Sequence, residues 1–110
     1  MLPKKERLSR AEFNRFFSLG KRFHSKSFTT VYAPHDSLHV SVVTSKKVSS
    51  HAVDRNKVRR RIYDIVRHYR DEFGTKGVYI FLMKAGAKDV PYTSLKDEVH
   101  EHLHTIMRRS

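Results

Sequence analysis

The segment from His51 to Phe73 limits the possible folds more than any other part of the chain. Val58, Ile62, Ile65, Val66, Tyr69 and Phe73 recur at the spacing of one helical stripe. At about 100° per residue, Asn56, Arg59, Arg60, Tyr63, Arg67 and Arg70 fall on an adjacent face. This is a rigid rod with an apolar stripe beside a basic one. The apolar stripe needs a second layer to cover it, so the fold must supply a sheet or further helices.

The flanking sequence supplies both. Ser9 and Glu12 form a capping box, Leu8 and Phe13 a hydrophobic staple, and Gly20 a stop, which predicts a helix over about 9–19. Residues 22–33 read as extended, with Phe28, Thr30 and Tyr32 on one face and Thr29, Val31 and Ala33 on the other. After the turn residues Pro34-His35-Asp36-Ser37, Leu38, Val40 and Val42 share a face of another strand. Gly74 is placed to end the long helix. Gly77–Met83, apolar almost throughout, reads as a central strand covered on both sides. Pro91 and the caps Thr93 and Ser94 open a last helix over about 94–108, with Leu95, Val99, Leu103 and Ile106 inward. The order is that of an α+β layer architecture, and 110 residues suit one domain, residues 1–110.

The charge balance narrows the partner. Lys and Arg number 23 against 11 Asp and Glu, a net +12. All the excess lies before residue 71, and residues 44–70 alone carry a net +7. Such a field points to a polyanion, either nucleic acid or an anionic membrane. There is no Cys, which excludes a disulfide scaffold, a Cys-based zinc finger and a thiol nucleophile. No apolar run reaches membrane-span length, and Met1–Arg7 lacks the apolar core of a secretion signal. A soluble, cytoplasmic protein is expected.

Catalytic signatures are thin. There is no G-x-S-x-G, P-loop or G-x-G-x-x-G. His100 and His104 have the i, i+4 spacing of a zinc helix, but the order His-Glu-x-x-His is missing and no third ligand stands out, so a solvent-facing polar stripe with His102 near the core edge is expected. Asp71-Glu72 and Asp97-Glu98 read as solvent charges on helices. The specific constellation is Ser45-Lys46-Lys47 followed by Arg55, Asn56, Arg59 and Arg60. These are forked guanidinium groups and an amide at the start of a helix, whose N-terminal dipole also favours phosphate. Asp54, Asp64 and Asp71 are too few to neutralise the seven Lys/Arg residues between Arg55 and Arg70.

Three stretches make the chain resemble the protein component of bacterial ribonuclease P. They are Arg7-Leu8 before a helix bearing Phe13, Phe17 and Gly20; Val43–Val48; and Ala52-Val-Asp-Arg-Asn-Lys-Val-Arg-Arg. The third matches the family's Arg-Asn-Arg signature, with Lys57 in the last place, which keeps the charge but loses the bidentate fork. The strand at Tyr79–Met83 and the helix after Tyr92 extend the resemblance nearly end to end. It implies an α-β-β-β-α-β-α fold with a left-handed crossover, its helices packed on a small mixed sheet. It also implies a subunit of a tRNA-maturing endonuclease whose RNA subunit performs the hydrolysis with Mg2+, the protein binding no cofactor alone and supplying no catalytic residue or metal ligand.

Carried over by position, Lys46, Lys47, Arg55, Asn56, Lys57, Arg59, Arg60 and Arg67 would contact the ribonuclease P RNA. Phe13, Phe17, Phe28 and Val31 would line a cleft for the 5′ leader of precursor tRNA. The implied partners are these two RNAs, with no membrane and one copy of the chain in the complex. The rival readings are a structural RNA binder such as a ribosomal protein, a protein nuclease in its own right and a DNA-binding regulator.

Overall fold

The computed structural model describes residues 8–73 and 76–109, without the side chain of Phe73. The expectations for Met1–Arg7, for Gly74 as a helix stop and for the Phe73 side chain lie outside the described residues. The first helix, α1, runs Arg10–Leu19. Its capping box is closed in both directions: Glu12 N–H donates to Ser9 Oγ at 3.2 Å, and Ser9 N–H donates to Glu12 Oε1 at 3.1 Å. Gly20 follows with φ −70°, so left-handed freedom is not its contribution. A Cβ there would lie 2.4 Å from Val31 Cγ1 and 2.8 Å from Phe16 O. Glycine lets the end of α1 touch the sheet.

The strands are β1 Lys21–His24, β2 Phe28–Ala33, β3 Leu38–Val43 and β4 Gly77–Met83. They form one mixed sheet in the order β1-β2-β4-β3. β1 and β2 are antiparallel, β2 and β4 are antiparallel, and β3 runs parallel to β4. The parallel pair needs a crossover, and α2, Ala52–Phe73, supplies it. A short 3-10 turn, Ala85–Asp89, leads to α3, Tyr92–Arg109. This helix starts two residues before the sequence places it, and the 3-10 turn has no periodic pattern to announce it. Among the described residues no helix is long and apolar enough to cross a membrane.

Strand alternation gives the sheet two different faces. On one, Val31, Ala33, Val78 and Ile80 pack against Phe16 of α1. On the other, Phe28, Val40, Val42 and Phe81 pack with the stripes of α2 and α3. Val58, Ile62 and Ile65 of α2 are at most 1% exposed. Each such side chain contributes roughly 1.5–3 kcal/mol relative to an exposed position. Leu95, Val99, Leu103 and Ile106 of α3 are buried as their spacing requires.

Three side chains depart from the sequence expectation. Tyr63 is 6% exposed and belongs to the large core, although helical arithmetic places it among the basic residues. It sits where the two stripes of α2 meet. Glu98 is not a solvent charge. Its carboxylate accepts from Ser25 Oγ at 2.7 Å, Ser27 N at 2.7 Å and Ser27 Oγ at 2.8 Å, pinning α3 to the β1–β2 turn.

His102 is buried rather than at the core edge, with its ring edge-on to Phe28 and Phe23. Burial lowers its pKa, Glu98 opposes this and His24 reinforces it. The unfolded chain therefore takes up a proton below about pH 6.5 that the folded chain refuses. The stability linked to neutral His102 is present above that pH and is lost as pH falls towards the lowered folded value. Melting temperature should drop between about pH 7.5 and about pH 5.5, and His102→Leu should show a smaller drop. Equal drops in both proteins would contradict this account.

Candidate nucleic-acid interface

The loop before α2 is held from within. Val48 is 2% exposed and anchors it, Val48 N donates to Ser45 O at 3.0 Å, and Lys47 N donates to Ser45 Oγ at 3.2 Å. Lys46 and Lys47 are thereby left at the surface. Ser49 ties this loop to the helix: its hydroxyl donates to Asp54 Oδ2 at 2.9 Å, and its carbonyl accepts from Arg55 Nη1 at 3.0 Å. Asn56, Lys57 and Arg60 are exposed, while Arg55 and Arg59 are half-buried.

Arg59 is the organising side chain of this face. One guanidinium nitrogen donates to Asn56 Oδ1 at 2.9 Å and another to Thr44 Oγ1 at 2.8 Å. The first bond orients the Asn56 amide, and the second joins α2 to the end of β3. Val53, Asn56, Arg59, Arg60 and Tyr63 line an open groove of about 480 Å3. Its lining holds no carboxylate. The acids nearest in sequence are engaged, Asp54 by Ser49 and Asp64 by Arg67 at 2.6 Å. Arg67 therefore lies further along the helix in an exposed ion pair. A groove of this composition suits phosphate and ribose, and it offers no oxygen-ligand set for Mg2+.

The second surface lies on the α1 side of the sheet. Phe13 and Phe17 are half-buried and stacked, with centroids 5.7 Å apart and planes at 26°. Arg22 of β1 places its guanidinium 4.8 Å from the Phe17 centroid. Val43 and Leu82, paired in register, are half-buried beside the same cluster. Thr44, the residue Arg59 grips, follows Val43 directly. The basic face and the aromatic face thus meet at the end of β3.

Two candidate cleft residues do not reach an open surface. Val31 faces α1 but is 0% exposed, covered as the floor of that cluster. Phe28 is 0% exposed and lies on the opposite face of the sheet, edge-on to Phe81 and His102. The strand period decides the second: Val31 and Phe28 are an odd number of residues apart and cannot share a face. Tyr32, next to Val31, lies against Tyr79 on the far side, with ring centroids 5.1 Å apart and planes tilted by 52°. Sequence reasoning missed Val43, Leu82 and Arg22, whose proximity depends on strand pairing, and Val53. Val53 is 75% exposed among arginines and carries a readable signal, an apolar residue off the stripe.

A family model described as Ribonuclease P matches residues 2–107. The chain belongs to the bacterial ribonuclease P protein family. As a ribonuclease P protein it is 30% identical to the ribonuclease P protein component of a Nitratiruptor species over 101 residues, 92% of this chain and 91% of that one. It is also 30% identical to the component from Microcystis aeruginosa over 110 residues, 93% of this chain and 91% of that one. The fold is shared with solved structures. A Staphylococcus aureus RNase P protein, a mutant described as defective in mRNA degradation activity, superposes with a TM-score of 0.85 at 21% identity, covering 94% of this chain and 90% of its own. The RNase P protein from Thermotoga maritima gives 0.80 at 19% identity, covering 89% and 94%. The helix-strand-strand-strand-helix-strand-helix order is therefore that of ribonuclease P proteins, and the chain is a protein subunit of ribonuclease P.

Proposed function

We propose that this subunit binds the ribonuclease P RNA through the N-terminal half of α2 and the loop before it, and holds the 5′ leader of precursor tRNA against α1. The RNA then supplies the hydrolytic groups and the magnesium sites. The observation that carries the reading is the Arg59 bridge from Asn56 to Thr44, because it makes one continuous surface of a phosphate-binding groove and an aromatic shelf. Lys46, Lys47, Lys57 and Arg60 neutralise phosphates, Asn56 meets a base edge or ribose, and Val53 packs on a sugar or base. On the shelf a leader base takes the place of Arg22 over Phe17, and the displaced guanidinium turns to the leader phosphate. Magnesium falls to the RNA because the groove is lined by two arginines and one amide rather than carboxylates.

Two neighbouring arginines test the RNA contact. Arg60 is exposed, so Arg60→Ala should weaken RNA-subunit binding about tenfold, reduce the salt slope by about one and leave melting within about 0.5 kcal/mol of wild type. Arg59→Ala should weaken binding too, and it should also cost about 0.5–1.5 kcal/mol of stability through the lost Thr44 bond. RNA affinity unchanged in both variants would remove the α2 groove from the interface.

A further inference from the structure

We propose that Glu72, His100 and His104 form a binding site for one divalent transition ion of the zinc type, closing the seam between α2 and α3. This site goes beyond the RNA-binding reading and does not rest on it. The i, i+4 histidines of α3 lack a third ligand in their own helix. The fold supplies one from the end of α2: Glu72 Oε2 lies 2.9 Å from His100 Nε2. One ligand atom from each of the three residues lies within 4.8 Å of the others. Zinc bonds of about 2.0–2.1 Å in a tetrahedron set ligand atoms roughly 3.4 Å apart, so small side-chain rotations bring the three to an ion.

The scaffold beneath them is fixed. Val99, Leu103 and Ile106 are buried on the same helix as the histidines, and Ile65 and Val66 are buried on α2. The Tyr69 ring lies 4.5 Å from the His100 ring with planes at 35°, which restricts its rotation. His104 lies 4.7 Å from His100 with rings near perpendicular, and it is exposed. Two imidazoles and one carboxylate select zinc, cobalt or a similar ion over magnesium or calcium, which take oxygen ligands. The exposure of Glu72 and His104 leaves the fourth position to water. Glu72 stands sixteen residues beyond Asn56, about 24 Å along the helix. The ion therefore clasps two helices and takes no part in the basic groove.

The test titrates the metal-free protein with zinc by calorimetry and with cobalt(II) by visible absorption. Wild type should take up one equivalent at micromolar concentration, show the intense absorption of four-coordinate cobalt, and melt roughly 10 °C higher in a hundredfold excess over Kd. His104→Ala and Glu72→Gln should each lose affinity on the order of 100-fold or more, with metal-free melting shifted by much less than zinc shifts wild type. His35→Ala, at a separate histidine cluster, should bind as wild type. No uptake by wild type, or equal uptake by the His104 and Glu72 variants, would overturn the proposal.

Discussion

Ribonuclease P RNA should lose on the order of 10³-fold in affinity for this subunit as monovalent salt rises from about 50 to about 200 mM. Residues 44–70 carry a net +7, and six of their cations lie on the first turns of α2 and the loop before it: Lys46, Lys47, Arg55, Lys57, Arg59 and Arg60. Six phosphate contacts give the quoted loss at the counterion release of duplex DNA. The magnitude also decides between two versions of the interface. Arg55 and Arg59 already donate to Ser49 O and to Asn56 and Thr44, and each guanidinium has five N–H donors in all. If those internal bonds exhaust them, only the four exposed cations count and the loss shrinks to about 10²-fold. Filter-binding or calorimetric titration at several salt concentrations reads the slope directly. A flat profile would contradict phosphate contact altogether.

Phe28→Ala and Phe17→Ala should fail in different ways. Phe28 is 0% exposed and packed edge-on to Phe81 and His102, so truncation should cost about 3–5 kcal/mol of stability and impair every activity together. Phe17 is half-buried, stacked on Phe13 at one side and under Arg22 at the other. Its truncation should leave a folded protein that binds the RNA subunit normally. Binding of precursor tRNA should weaken by about 1–3 kcal/mol of lost stacking, with mature tRNA little affected. Thermal melting, RNA-subunit affinity and the precursor-to-mature affinity ratio separate the cases. A collapse of melting in Phe17→Ala with no selective leader effect would move Phe17 from the shelf to the core.

Local chemistry made much of this fold legible. The Ser9–Glu12 box, the α2 stripe and the apolar run of β4 each announce an element through contacts within a few residues. The alternation of β2 likewise separates Val31 from Tyr32 correctly. What sequence could not supply was which strands pair. Val43 and Leu82 meet across β3 and β4, about forty residues apart in the chain, so no window of sequence joins them to Phe17. Glu98 misleads for the same reason, because its partners Ser25 and Ser27 are more than seventy residues away. Phe28 misleads differently. The family resemblance places it in the leader cleft beside Val31, but its position an odd number of residues from Val31 sends it to the other face. On the basic helix, spacing put Asn56, Arg59, Arg60 and Tyr63 on one face, and these four share the lining of the groove. The Arg59 bridge to Thr44 had to come from the packing of β3 beside α2.

The most direct test of the central claim is reconstitution. Purified protein, free of nucleic acid, is added to a bacterial ribonuclease P RNA at a magnesium concentration too low for the RNA to act alone, with leader-bearing precursor tRNA as substrate. The account predicts that the protein restores release of the 5′ leader, that the protein alone releases nothing, and that Arg60→Ala needs more protein to reach the same rate. Cleavage by the protein without RNA, or no stimulation of the RNA by the wild-type chain, would contradict it.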